Sequence, residues 1–100
     1  MTKLVIRPQA MLELDSAVRG YELEVRGLGR RFKRSMKATL RIIRRHPEAY
    51  ALALESFRAA PVRRFPYVVL YDVDDAGVTV FAVFHTARDA DSLRGRRTSG

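Results

Sequence analysis

Apolar positions recur along this chain with two periods, near 3.5 and near 2, and the changes between them mark the elements. Residues 3–7, KLVIR, are a short β-branched run that reads as a strand. Pro8 follows, and the fixed φ of proline suits the first turn of a helix. Over 9–25 the residues Met11, Leu14, Val18, Tyr21 and Val25 recur at spacings of 3, 4, 3 and 4, one face of an α-helix. Gly20 lies inside that helix at a cost of about 1 kcal/mol relative to alanine. The glycines of RGLGR, 26–30, break it. A second helix is predicted over 28–46, with the stripe Leu28, Phe32, Met36, Leu40 and Ile43, and Pro47 ends it. Two amphipathic helices joined by a short glycine turn predict an antiparallel hairpin.

Beyond Pro47 the period falls to 2. Residues 48–56 fit either a helical turn or a loop leading to a strand. A strand is expected over 57–64, with Pro61 marking an edge or a bulge. Residues 67–73 form another, and Asp74 to Gly77 are a turn. The strand over 78–85 divides into Val78/Val80/Ala82/Phe84 and Thr79/Phe81/Val83, both nearly all apolar, so it belongs inside the sheet. The expected fold is α+β, in the order β-α-α-β-β-β, with the helical hairpin packed on one face of a small, mostly antiparallel sheet. Residues 1–90 form a single domain and 91–100 a polar tail.

Composition narrows the function. No apolar run approaches the ~20 residues of a membrane span. MTKLVIRPQ lacks the apolar core of a secretory signal, so the expected location is the cytoplasm. With no cysteine, and with His46 and His85 far apart in sequence, neither a metal site nor a cofactor is expected. Nineteen Lys/Arg against eleven Asp/Glu give a net charge of +8, which favours a polyanionic partner.

The basic residues are ordered. Four acids, Glu13, Asp15, Glu22 and Glu24, stand in the first helix against one base, Arg19. From 26 to 45 there are bases and no acid. Arg30, Arg34, Lys37, Arg41 and Arg44 recur at 4, 3, 4 and 3, opposite the apolar stripe. Like charges at this spacing repel by a few tenths of a kcal/mol per pair. The stripe is either a solvated face or a contact surface for an acidic partner. Arg58, Arg63 and Arg64 form a second basic group, and Arg88 with Arg94, Arg96 and Arg97 a third. In a regular strand Arg63 and Arg64 would point to opposite faces.

Several of these pieces together resemble the RelE/ParE superfamily of bacterial type II toxins. They are a first strand ending in Arg7-Pro8, the pair Tyr21-Glu22, GLGRRF at 27–32 and HPEAY at 46–50, then VRRFPYVVLY at 62–71 and VFAVFHTARD at 80–89. The resemblance, closer to ParE than to RelE, implies a toxin silenced by a cognate antitoxin, and such toxins are associated with plasmid stabilization. It also implies one of two activities: RelE-like members cut mRNA in the ribosome, whereas ParE-like members inhibit DNA gyrase. It makes Arg30, Arg34, Lys37, Arg41 and Arg44 candidates for antitoxin binding, and Arg63, Arg64 and Arg88 candidates for target binding.

Metal-independent RNA cleavage needs a base for the 2′-OH, cations for the phosphorane and an acid for the leaving oxygen. Aligned on Tyr67, the lysine positions of the nucleases fall on Ala59 and Pro61, an arginine position on Val68 and the C-terminal tyrosine near Leu93. No lysine follows Lys37 and no tyrosine follows Tyr71. His85 and Arg88 remain as weak catalytic candidates, and arginine is a poor general base. His85 is at least as well suited to satisfying loop backbone. The sequence thus favours a gyrase inhibitor over a metal-independent endoribonuclease acting on ribosome-bound mRNA. A relative that has lost toxicity stays open, because Gly20 stands where relatives often have a large aromatic, which predicts a looser hairpin.

Overall fold

Seven elements follow one another in the computed structural model, which describes residues 2–89. They are β1 (Leu4–Ile6), α1 (Pro8–Glu24), α2 (Leu28–Arg45), β2 (Leu52–Leu54), β3 (Phe57–Pro61), β4 (Tyr67–Asp74) and β5 (Gly77–His85). The sheet order is β1-β5-β4-β3-β2. β1 runs parallel to β5, and the other pairs are antiparallel. The expected α+β architecture is present, and the ambiguous stretch 48–56 adds one short strand, β2, on the β3 edge. The polar tail, the Leu93 position and Arg94, Arg96 and Arg97 lie outside the described residues.

α1 starts at Pro8 and buries a face narrower than its periodicity predicts. Ala10 and Ala17 are the buried residues, with Leu14, Val18 and Tyr21 packed beside them. Met11 is 40% exposed and Val25 56%, so the two ends of the predicted stripe are not core. Small alanines let the helix lie close to the sheet, but they carry little hydrophobic signal. The α2 stripe holds: Phe32, Met36 and Ile43 are buried, and Leu28 and Leu40 partly so. Thr39, buried among them, donates its hydroxyl to the Ser35 carbonyl at 3.1 Å.

The hairpin turn is fixed by three residues of the matched motifs. Gly27 adopts φ +87°, a conformation that costs glycine little. The Glu22 carboxylate accepts from the Gly27 amide at 2.9 Å and the Gly29 amide at 3.0 Å. It thereby satisfies two orphan donors at the N-terminus of α2, where negative charge also opposes the helix dipole. Gly29 marks a close approach of the helices, since a Cβ there would stand 2.6 Å from the Val18 carbonyl oxygen. A Cβ at Gly20 would meet nothing within 4 Å.

β5 departs from plain alternation. Its register against β4 passes from Leu70↔Ala82 to Tyr71↔Val80, leaving Phe81 as an extra residue in a β-bulge. Val78, Val80 and Val83 consequently share the helix-covered core, whereas Phe81, Ala82 and Phe84 join Leu70, Leu54, Phe57 and Ala59 in a smaller cluster on the other face. The two faces expected from strict alternation are thus exchanged beyond the bulge. Pro61 pairs with Val68 beyond the reach of β2, so its missing N–H lies on an open edge, as its position predicts.

Candidate target-binding end of the sheet

β3 stops at Pro61, earlier than the predicted 64. Arg63 and Arg64 therefore belong to the loop joining β3 to β4, where both are exposed. Arg64 has φ +73°. The expectation that strand geometry would send the two to opposite faces does not hold, because neither is in a strand. They stand together on a loop anchored on both sides. Val62 is buried and its amide donates to Tyr67 O at 2.8 Å. Phe65 packs edge-on against Tyr21 and Phe32, with ring centroids 5.0 Å away in each case. Tyr67 completes that aromatic group, at 5.1 Å from Phe32 and 6.0 Å from Tyr21.

The segment after β5 is tied to the same end. The Thr86 amide donates to Pro66 O at 3.0 Å. The Arg88 guanidinium donates to the Tyr67 hydroxyl at 2.7 Å, so Arg88, although exposed, is held against the core. Arg63, Arg64 and Arg88 are thus brought to one end of the sheet, beside the α1–α2 turn. Arg58 is not part of this surface. It donates to the carbonyls of Tyr50 at 2.7 Å and Glu48 at 3.5 Å, pinning the loop after α2. The Tyr71 hydroxyl pins the same loop by donating to Pro47 O at 2.6 Å.

His85 shapes the local turn. Its Nδ1 accepts from the amides of Ala87 and Arg88, both at 3.1 Å. Two donors at Nδ1 place the ring proton on Nε2 in the neutral tautomer. Asp89 accepts from the His85 amide at 2.8 Å, and Glu13 accepts from the Val83 amide at 2.9 Å. Both amides lie on the edge of β5 past the end of β1, so two carboxylates stand where a neighbouring strand would pair. The sequence reading missed Glu13 and Glu22 in these roles. Only Glu22, in its motif, carries a visible signal; Glu13 depends on where β1 stops. α1, Tyr67, Val83, His85 and Arg88 enclose a groove of about 810 Å³ here.

Burial raises the Tyr67 phenol above its ordinary range, and Arg88 partly offsets this. Burial raises Tyr21 and Tyr71 in the same direction. An acid held protonated in the folded state stabilises it below the unfolded value, and that contribution is lost as pH climbs towards the folded value. The urea midpoint is accordingly expected to fall as pH rises past about 10, with phenolate absorbance appearing together with unfolding. A flat midpoint through that range would contradict the phenol assignments.

Among the described residues no group of three or more His, Asp or Glu side chains could hold a metal ion. No helix of the described residues is long and apolar enough to cross a membrane.

The fold recurs in a known protein. The family model described as the ParE toxin of type II toxin–antitoxin systems, parDE, matches residues 4–90. The chain belongs to this ParE toxin family. A solved structure titled "Chromosomal ParDE TA system from P. aeruginosa" superposes with a TM-score of 0.70 at 14% identity, covering 85% of this chain and 96% of that one. At that identity the likeness speaks for the fold alone. No curated protein matches significantly.

Proposed function

We propose that this ParE-family toxin inhibits DNA gyrase in the cytoplasm, that a cognate antitoxin neutralises it, and that Arg63, Arg64 and Arg88 contact the target. The observation that carries the reading is chemical. His85 is the one histidine at this end of the sheet, and its Nδ1 already accepts two amides. With the ring proton on Nε2, the Nδ1 lone pair is engaged by those amides and the ring presents a donor rather than a general base. Three of the four aligned nuclease positions support the same conclusion. Ala59, Pro61 and Val68 sit on β3 and β4, on the face away from the helices, where Ala59 packs with Leu70 and Phe57. Arg7, at 5.4 Å over the Phe81 ring, is a cation on that face, but it cannot remove a proton.

Anchored cations on an exposed loop suit contact with a protein target, and Arg63 and Arg64 are such cations. Rim charges of this kind set association rate and partner choice. The double variant Arg63→Glu/Arg64→Glu is expected to weaken inhibition of gyrase supercoiling by about tenfold or more per reversed contact, with the circular dichroism spectrum unchanged. Undiminished inhibition by a folded double variant would remove this loop from the target surface.

A further inference from the structure

The exposed side of α2 carries a dense row of bases and no acid. A helix turns 100° per residue, and the buried residues Gly29, Phe32, Met36, Thr39 and Ile43 define its inner face. Directly opposite, an arc of about 100° is filled by Arg30, Arg34, Lys37, Arg41, Arg44 and Arg45. No other residue type enters that arc, and all six are exposed. From Arg30 to Arg44 the row extends about 21 Å. Arg44 also donates its Nε to Thr2 O at 3.0 Å, which fixes that end of the row.

We infer that this face of α2 binds the phosphate backbone of duplex DNA without regard to sequence. Three features select that partner. A protein segment folding onto α2 would need apolar or aromatic anchors at the centre of its contact, where interfaces are depleted of charge. The arc has none; Ala38 and Ile42 lie to one side of it. Single-stranded nucleic acid is held largely by bases stacking on aromatic rings, and the arc has no ring. Duplex phosphates require only charge and donors, and five of the six side chains are arginine, whose planar fork suits a phosphate. The major groove of B-form DNA is wide enough to admit the exposed side of a helix, whereas the deep, narrow major groove of duplex RNA is not. The inference does not depend on gyrase inhibition, although gyrase itself acts on duplex DNA.

The test is fluorescence anisotropy of the purified full chain with a labelled random-sequence DNA duplex, titrated across salt concentrations. About five phosphate contacts predict a slope of log K against log salt near −4.5, so affinity should fall about 500-fold between about 50 and 200 mM. Arg34→Glu/Arg41→Glu should flatten the slope to about −3 or shallower. Lys3→Glu/Arg19→Glu, with the same change in net charge outside α2, should leave it within about one unit of the original. Circular dichroism reports that each variant is folded. Equal losses in the two variants would show that net charge alone is responsible and would overturn the proposal. So would tighter binding to a duplex RNA of the same length. Binding of an acidic peptide more tightly than DNA, with the Arg34/Arg41 reversal abolishing it, would reassign the face to a protein partner.

Discussion

Phe32→Ala is expected to destabilise the protein by about 3–5 kcal/mol, the usual loss when a buried aromatic is truncated and a cavity remains. Phe32 is 0% exposed and meets the rings of Tyr21, Phe65 and Tyr67 at 5.0–5.2 Å. Domains are stable by about 5–15 kcal/mol, so this one change would take a large share. Its effect should also reach the candidate site, because Phe65 holds the loop that carries Arg63 and Arg64. Urea unfolding followed by circular dichroism reads the first effect, and protease sensitivity of the 62–66 loop reads the second. Phe32→Leu should recover much of the stability but not the edge-to-face contacts. A loss below about 1 kcal/mol for Phe32→Ala would mean that the aromatic group is not the keystone of that end.

The same substitution at two glycines should act with opposite sign. Gly20→Ala places a Cβ in open space on the exposed side of α1, and it should stabilise by about 1 kcal/mol through helix propensity. Gly29→Ala places a Cβ 2.6 Å from Val18 O and 3.0 Å from both Cβ and Oε1 of Glu22. It must push the helices apart and disturb the carboxylate that caps α2, so a loss of about 2–3 kcal/mol is expected. Thermal unfolding of the two variants side by side decides the matter. A Gly29→Ala protein as stable as the parent would contradict the helix contact described above.

The contrast between those glycines shows what the sequence could carry. Periodicity located both helices to within a residue or so, because Phe32, Met36 and Ile43 repeat at helical spacing and Pro47 stops the run. It could not rank Gly20 against Gly29, since which glycine faces the other helix is a matter of packing. Nor could it place the bulge at Phe81, which reverses the faces of β5 with no glycine or proline to announce it. The arginine cluster was legible as residue types in a motif, but not as geometry. Val62 and Phe65 look like strand residues, yet their burial is what bends the chain into the loop that exposes Arg63 and Arg64. Arg58 belonged by spacing to the same basic group, but its guanidinium turns to the Glu48 and Tyr50 carbonyls instead.

The central proposal, supported by the family membership and by the engaged Nδ1 of His85, is that this toxin acts on gyrase by binding. The most direct measurement compares the purified protein in two assays: supercoiling by DNA gyrase, and cleavage of mRNA on translating ribosomes. Inhibited supercoiling with intact mRNA is the predicted result, relieved by the cognate antitoxin. Codon-positioned cuts in ribosome-bound mRNA with supercoiling unaffected would contradict the account.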